Sequence, residues 1–129
     1  MLIDSNIIVY AAKPEHRGIR QFIAEHAVAV SAISYVEVLG YHRLTADERR
    51  LFEQFFATAT VLPLASPVLD QAVRLRQLRK MTLGDALVAA TALVYRLTLV
   101  TRNASDFHWV PDLSLLNPFD EHPAGRSGR

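Results

Sequence analysis

The first ten residues, Met1 to Tyr10, constrain the fold more than any other stretch. Met1–Ile3 is a short apolar run that reads as a strand entering a core. Asp4 follows at once, then Ser5 and Asn6, and a second apolar run, Ile7–Tyr10, begins with helical length. A carboxylate wedged between two apolar runs belongs to a strand-to-helix turn. Ionised and buried there without a partner it is costly. Either backbone N–H groups at the helix start or a cation must compensate it.

The same punctuation recurs along the chain. Residues Leu2–Asp4 predict strand one and Ser5 to about Ala12 helix one, closed by Lys13-Pro14. Arg17–His26 places Ile19, Phe22 and Ile23 on one helical face. Ala27–Ser31 reads as strand two, and Ser34 opens a helix through Leu39. Thr45 and Glu48 match a capping box ahead of Leu51, Phe52, Phe55 and Phe56. Thr60–Leu64 reads as strand three, and Ser66-Pro67 as an N-cap with Pro at the first helical position. The helix from Thr82 through Tyr95 is apolar nearly all round, which makes it central. Leu97–Thr101 is strand four, Asn103–Phe107 a turn, and Leu113–Leu116 a candidate fifth strand. Strands alternating with helices predict an α/β domain with a parallel sheet. Sites in such sheets form beyond the carboxyl ends of the strands, where strand order reverses. Asp4 and Thr101-Arg102-Asn103 lie at such ends.

Composition narrows the class. A chain of 129 residues, half of them apolar, suits one domain with its own core. The absence of cysteine excludes a disulfide framework and Cys-ligated metal, and fits a reducing cytoplasm. No basic run precedes a long apolar segment at the N-terminus, so no signal peptide is expected. The most apolar region, Leu83–Val100, is broken by Asp85 and Arg96, which argues against a membrane span. Of the 14 basic residues only Lys13 and Lys80 are lysines. Arginine forks suit phosphate and carboxylate, although coding bias explains the excess equally well. Residues 122–129 hold Gly, Pro, Ser and Arg and read as a frayed tail after a domain spanning 1–121.

Four acids have strongly apolar neighbours: Asp4, Glu37, Asp85 and Asp106. Each also has a local explanation. Ser34…Glu37, Thr82…Asp85 and Asn103…Asp106 share the capping-box spacing, and Asp4 can itself be an N-cap. As a set they point toward one edge of one sheet. Clustered carboxylates repel and burial raises their pKa unless a cation joins them. With no Cys or His at ligand spacing, such a site is hard and oxygen-only, suited to Mg²⁺ or Mn²⁺.

Four blocks carry a resemblance: Ile3-Asp4-Ser5-Asn6, Ser34-Tyr35-Val36-Glu37, Leu83-Gly84-Asp85-Ala86-Leu87, and Val100-Thr101-Arg102-Asn103 with Asp106-Phe107. In this order and spacing, from Leu2 to about Pro118, the chain resembles a PIN domain, and more narrowly the VapC-type toxins of toxin–antitoxin pairs. The resemblance implies a single PIN-like domain with four or five parallel strands in the order 3-2-1-4-5. It implies an Mg²⁺- or Mn²⁺-dependent endoribonuclease in which Asp4, Glu37 and Asp85 are the metal-site acids. The fourth position varies in the family, so either Asn103 or Asp106 completes the set. Ser5 and Thr101 match small hydroxyl positions that support the acids. A homodimer and a VapB-type antitoxin covering the acidic pocket are implied as partners, with Leu51–Phe56 and the Ile19–Ile23 face as a candidate apolar groove.

An acidic pocket that receives RNA calls for basic residues at its rim, and Arg102 and Arg43 stand nearest in sequence. Two other activities fit poorly. A phosphoacceptor receiver domain calls for an acid after strand three and a late lysine, where this chain has Pro63-Leu64-Ala65 and no lysine beyond Lys80. A haloacid-dehalogenase-type phosphatase calls for Asp-x-Asp, where this chain has Asp4-Ser5-Asn6. The remaining alternative is a catalytically silent PIN-like module that binds RNA or protein and keeps its acids as caps.

Overall fold

The computed structural model describes residues 1–120; the expected tail, 122–129, lies outside them. Five short strands alternate with six α-helices. They are β1 (Leu2–Ile3), α1 (Ser5–Ala11), α2 (Arg17–Glu25), β2 (Ala29–Ser31), α3 (Ala32–Leu39) and α4 (Ala46–Thr58). Then come β3 (Thr60–Leu62), α5 (Ser66–Leu78), α6 (Leu83–Tyr95), β4 (Leu99–Val100) and β5 (Leu115–Leu116). Single 3₁₀ turns occupy Pro14–His16 and Ala104–Asp106. Every strand pair is parallel, and the order is β3-β2-β1-β4-β5, as expected. Leu2 pairs with Ala29 on one side and Leu99 on the other, so β1 is central. Strand order reverses between β1 and β4, which opens a crevice at their carboxyl ends.

Alternation along β1 divides the core. Leu2 packs with Val68, Leu75, Ala86–Ala90, Leu99 and Phe107 under α5 and α6. Ile3 packs with Ile7, Ile8, Val30, Phe52, Phe56 and Val100 under α1–α4. Each buried Val, Leu, Ile or Phe among them, removed from water, contributes roughly 2 kcal/mol. Helix α6 is buried continuously from Ala86 to Ala92, as its all-round apolar character requires. No helix among the described residues is long and apolar enough to cross a membrane.

The element ends differ from the sequence expectation in instructive places. Helix α3 starts at Ala32, not Ser34, because Ser31 is its cap and accepts from Ile33 N at 3.3 Å. Ser34 is therefore a fully buried helical residue, and Ser34…Glu37 is not a cap pair. The cap position of α5 is Ala65, without a side-chain bond; Ser66 is already helical. Strand β3 ends at Leu62, before Pro63, which has no N–H to continue a ladder. Asn103 precedes the second 3₁₀ turn but makes no side-chain cap there. Thr45 and Glu48 do form the expected reciprocal box.

Candidate functional site

Asp4 leaves β1 as the N-cap of α1. Its Oδ1 accepts from Ser5 N at 2.7 Å and its Oδ2 from the Thr101 hydroxyl at 2.9 Å. It is 6% exposed. Burial pushes its pKa up to about 6; the Thr101 and Ser5 bonds oppose this, and the charges of Asp85 and Glu37 add to it. Two hydrogen bonds thus leave the carboxylate still short of the stabilisation it had in water.

Ser5 ties two acids together. Its N–H serves Asp4, and its Oγ lies 2.7 Å from both Glu37 Oε1 and Ser34 Oγ. One hydroxyl proton cannot serve both. The carboxylate is the stronger acceptor, so Ser5 donates to Glu37 and the buried Ser34 hydroxyl donates back to Ser5. Glu37 itself is exposed at its place on α3, anchored from below by this hydroxyl chain. Its carboxylate lies over Gly84: a Cβ there would clash with Glu37 Oε2.

Asp85 sits in the first turn of α6, where the helix dipole favours an anion. Its N–H donates to the cap hydroxyl of Thr82 at 3.1 Å. Half-buried, its carboxyl is raised by desolvation first and then by the charges of Asp106 and Glu37, with Thr82 opposing. Asp4, Glu37 and Asp85 line one groove of about 500 Å³ together with Ser5, Val9, Lys13 and Tyr41.

The fourth position differs. Asn103 and Asp106 are exposed and absent from the groove lining. Asn103 N donates to Thr101 Oγ1 at 3.1 Å, which links the turn to Asp4 through one hydroxyl. Asp106 reaches the site only as a charge felt by Asp85. Arg43 is exposed and outside the lining, and Arg102 is exposed beside Tyr10 and Phe119. Gly84 against Glu37, Ser34 behind Ser5, and Glu48 and Lys13 in the lining have no site role in the sequence reading. Asn6, Val9 and Lys13 follow one another at helical spacing, which was a usable signal for the last.

The donors suit a hard divalent cation: all are oxygens, and among the described residues the buried Asp4 has no salt-bridge partner. Among the described residues, no three acidic, His or Cys side chains are gathered closely enough to enclose an ion as placed. The fit is one of donor chemistry around a shared groove, not of a closed shell.

A family model described as PIN domain matches residues 1–112. No curated protein gives a significant match. Among solved structures, the chain is 27% identical to a chain of a toxin-antitoxin complex from Klebsiella pneumoniae, with a TM-score of 0.74, covering 92% of this chain and 98% of that one. It matches VapBC2 from Rickettsia felis bound to a promoter DNA fragment at 21% identity and TM-score 0.78, covering 90% and 96%. DNA-bound VapBC from Salmonella typhimurium matches at 18% identity and TM-score 0.78, covering 91% and 96%. At such identities the last two establish a shared fold.

Proposed function

The chain belongs to the PIN-domain family, and from that premise we propose that it is a metal-dependent endoribonuclease, the toxin of a VapC-type toxin–antitoxin pair. The observation that carries the reading is Asp4, a buried carboxylate with a raised pKa that shares one groove with Glu37 and Asp85. Asp4, Glu37 and Asp85 would hold Mg²⁺ or Mn²⁺, with Asn103 or Asp106 contributing from the rim. Bound there, the ion supplies a nucleophilic water at neutral pH and charge stabilisation for the leaving oxygen of a phosphodiester. The protein's part is positioning. Ser5 N and Thr101 Oγ1 fix both oxygens of Asp4 in direction. The Ser34–Ser5 hydroxyl pair fixes Glu37, and Gly84 leaves the space its carboxylate occupies. No nucleophilic side chain is required.

The partner side rests on a second groove. Ile8, Ala11, Ala12, Ile23, Leu51 and Phe55 line an apolar cleft of about 250 Å³ between α1, α2 and α4, and Phe52 lines both this cleft and the acidic groove. A VapB-type antitoxin helix with an apolar face and a basic side chain reaching the acids fits that continuity. Ile19 and Phe56, also expected there, are buried in the core instead. A homodimer is supported by the exposed apolar residues Val36, Leu69, Val73 and Leu83.

The test is incubation of purified, antitoxin-free protein with structured RNA, with and without EDTA. Cuts that need the metal and vanish in Asp4→Asn support the nuclease. The dispersed placement of the acids favours a second reading, a silent RNA- or protein-binding module; RNA binding without cuts under every divalent ion tried would establish it.

A further inference from the structure

Arg102 is held in an unusual way for an exposed arginine. Its Cζ lies 4.2 Å from the Phe119 ring centroid and 5.0 Å from that of Tyr10. Those two rings and His16 meet edge to face in a closed trio, with centroids 5.3 to 5.4 Å apart. Asn117 Nδ2 donates to the Arg102 carbonyl at 3.4 Å, which fixes the backbone beneath. Among the described residues Arg102 has no carboxylate partner within salt-bridge distance.

A guanidinium held against aromatic rings makes no hydrogen bonds to them and keeps its N–H groups for an anion. The rings also settle rotamer freedom that a free arginine would lose on binding. The position matters as much. Arg102 directly follows Thr101, whose hydroxyl holds Asp4 Oδ2. Tyr10 neighbours Val9 on α1, and Val9 and Lys13 line the acidic groove. A polyanion lying over the three acids therefore meets one cation in the groove, Lys13, and a second, pre-ordered one at the end of β4.

We propose that Arg102, braced by Tyr10 and Phe119, is a phosphate-binding subsite for the RNA strand, holding a backbone phosphate next to the one at the acids. This rests on the ribonuclease reading for its ligand, an RNA phosphodiester. A repeating anion suits a lysine in the acidic groove together with a second cation, Arg102, held beyond β4 by aromatic rings, whereas a protein carboxylate would need only one of them.

The experiment measures binding, not cleavage. A labelled RNA hairpin with a single-stranded loop is titrated into full-length Asp4→Asn protein over a range of salt concentrations. Arg102→Ala on that background is expected to weaken binding about tenfold. The slope of log affinity against log salt should become shallower by about 0.7–0.9, one phosphate contact. Arg102→Lys should restore the slope but not the affinity, because lysine carries the charge without the planar N–H fork. Phe119→Leu should leave the slope and cost a few-fold in affinity. Unchanged affinity and slope in both Arg102 variants, with only a lower melting temperature in Arg102→Ala, would overturn the proposal and make the cluster a staple for residues 117–120. Loss of binding to a co-expressed protein partner with RNA affinity intact would also overturn it. Arg102-dependent RNA binding by a wild-type protein that cuts no RNA would sustain the subsite and sink the nuclease reading; RNA cutting with Arg102-independent binding would do the reverse.

Discussion

The ends of β1 and β4 each present an acid after a strand, and they treat it in opposite ways. At β1, Asp4 is buried, bonded on both oxygens, and raised to about 6. Beyond β4, Asp106 is exposed at the end of a 3₁₀ turn and outside the groove. A solvated carboxylate costs the fold little and needs no function to explain it. A buried one with a raised pKa is a standing cost, which a bound cation would offset. The same residue type near the same sheet edge thus carries very different evidential weight.

Substitutions at the two strand ends test that contrast. Asp4→Asn should lower RNA cleavage at least about a thousandfold, on the order of 4 kcal/mol of barrier, in a single-turnover assay. Gly84→Ala should cost about a hundredfold, since its Cβ would displace Glu37, and an ångström of misplacement is worth that much. The contact is with the far end of a flexible side chain, and alanine favours a helix by ~1 kcal/mol, so the melting temperature should hold or rise. A Gly84→Ala protein with wild-type cleavage would remove Glu37 from the site. Asp106→Asn should cost only about tenfold, the share of a charge acting through Asp85. Cleavage falling as far in Asp106→Asn as in Asp4→Asn would erase the distinction between the two strand ends.

Much of this was legible in the chain itself, for physical reasons. The periods of Leu2–Ile3, of Ile19–Ile23 and of the all-round apolar α6 carry burial information directly, and with the right-handed crossover they leave few sheet orders open. Caps were less legible. Ser31 and Ser34 are both cap-type residues, and the choice between them depends on where β2 stops pairing with β3 at Ser31, a tertiary fact. The Glu37–Gly84 contact crosses from α3 to α6, so nothing local announces it. Asn103 is a candidate ligand by order in the chain; the strand ends at Val100, and Asn103 is exposed on the turn beyond it and absent from the groove lining, so its place in the set depends on the turn and not on strand register.

Burial of Asp4 also fixes a pH dependence. Its folded pKa, about 6, lies above its ordinary 3.8, so the folded state binds the proton more tightly than the unfolded one. The resulting penalty is absent below about 3.8, grows as pH rises through the interval, and is complete above about 6. Metal-free protein should therefore lose roughly 3 kcal/mol of stability between pH 4 and pH 7 from this group, at 1.36 kcal/mol per unit. Asp4→Asn should flatten that part of the profile in urea unfolding.

The most direct measurement is thermal unfolding at pH 7.5 of wild-type and Asp4→Asn protein, each stripped with EDTA and then titrated with Mn²⁺ or Mg²⁺. Stripped Asp4→Asn should melt no lower than stripped wild type, and the ion should raise the melting temperature of the wild type alone. An equal rise in both proteins, or none in either, would contradict a cation held by Asp4.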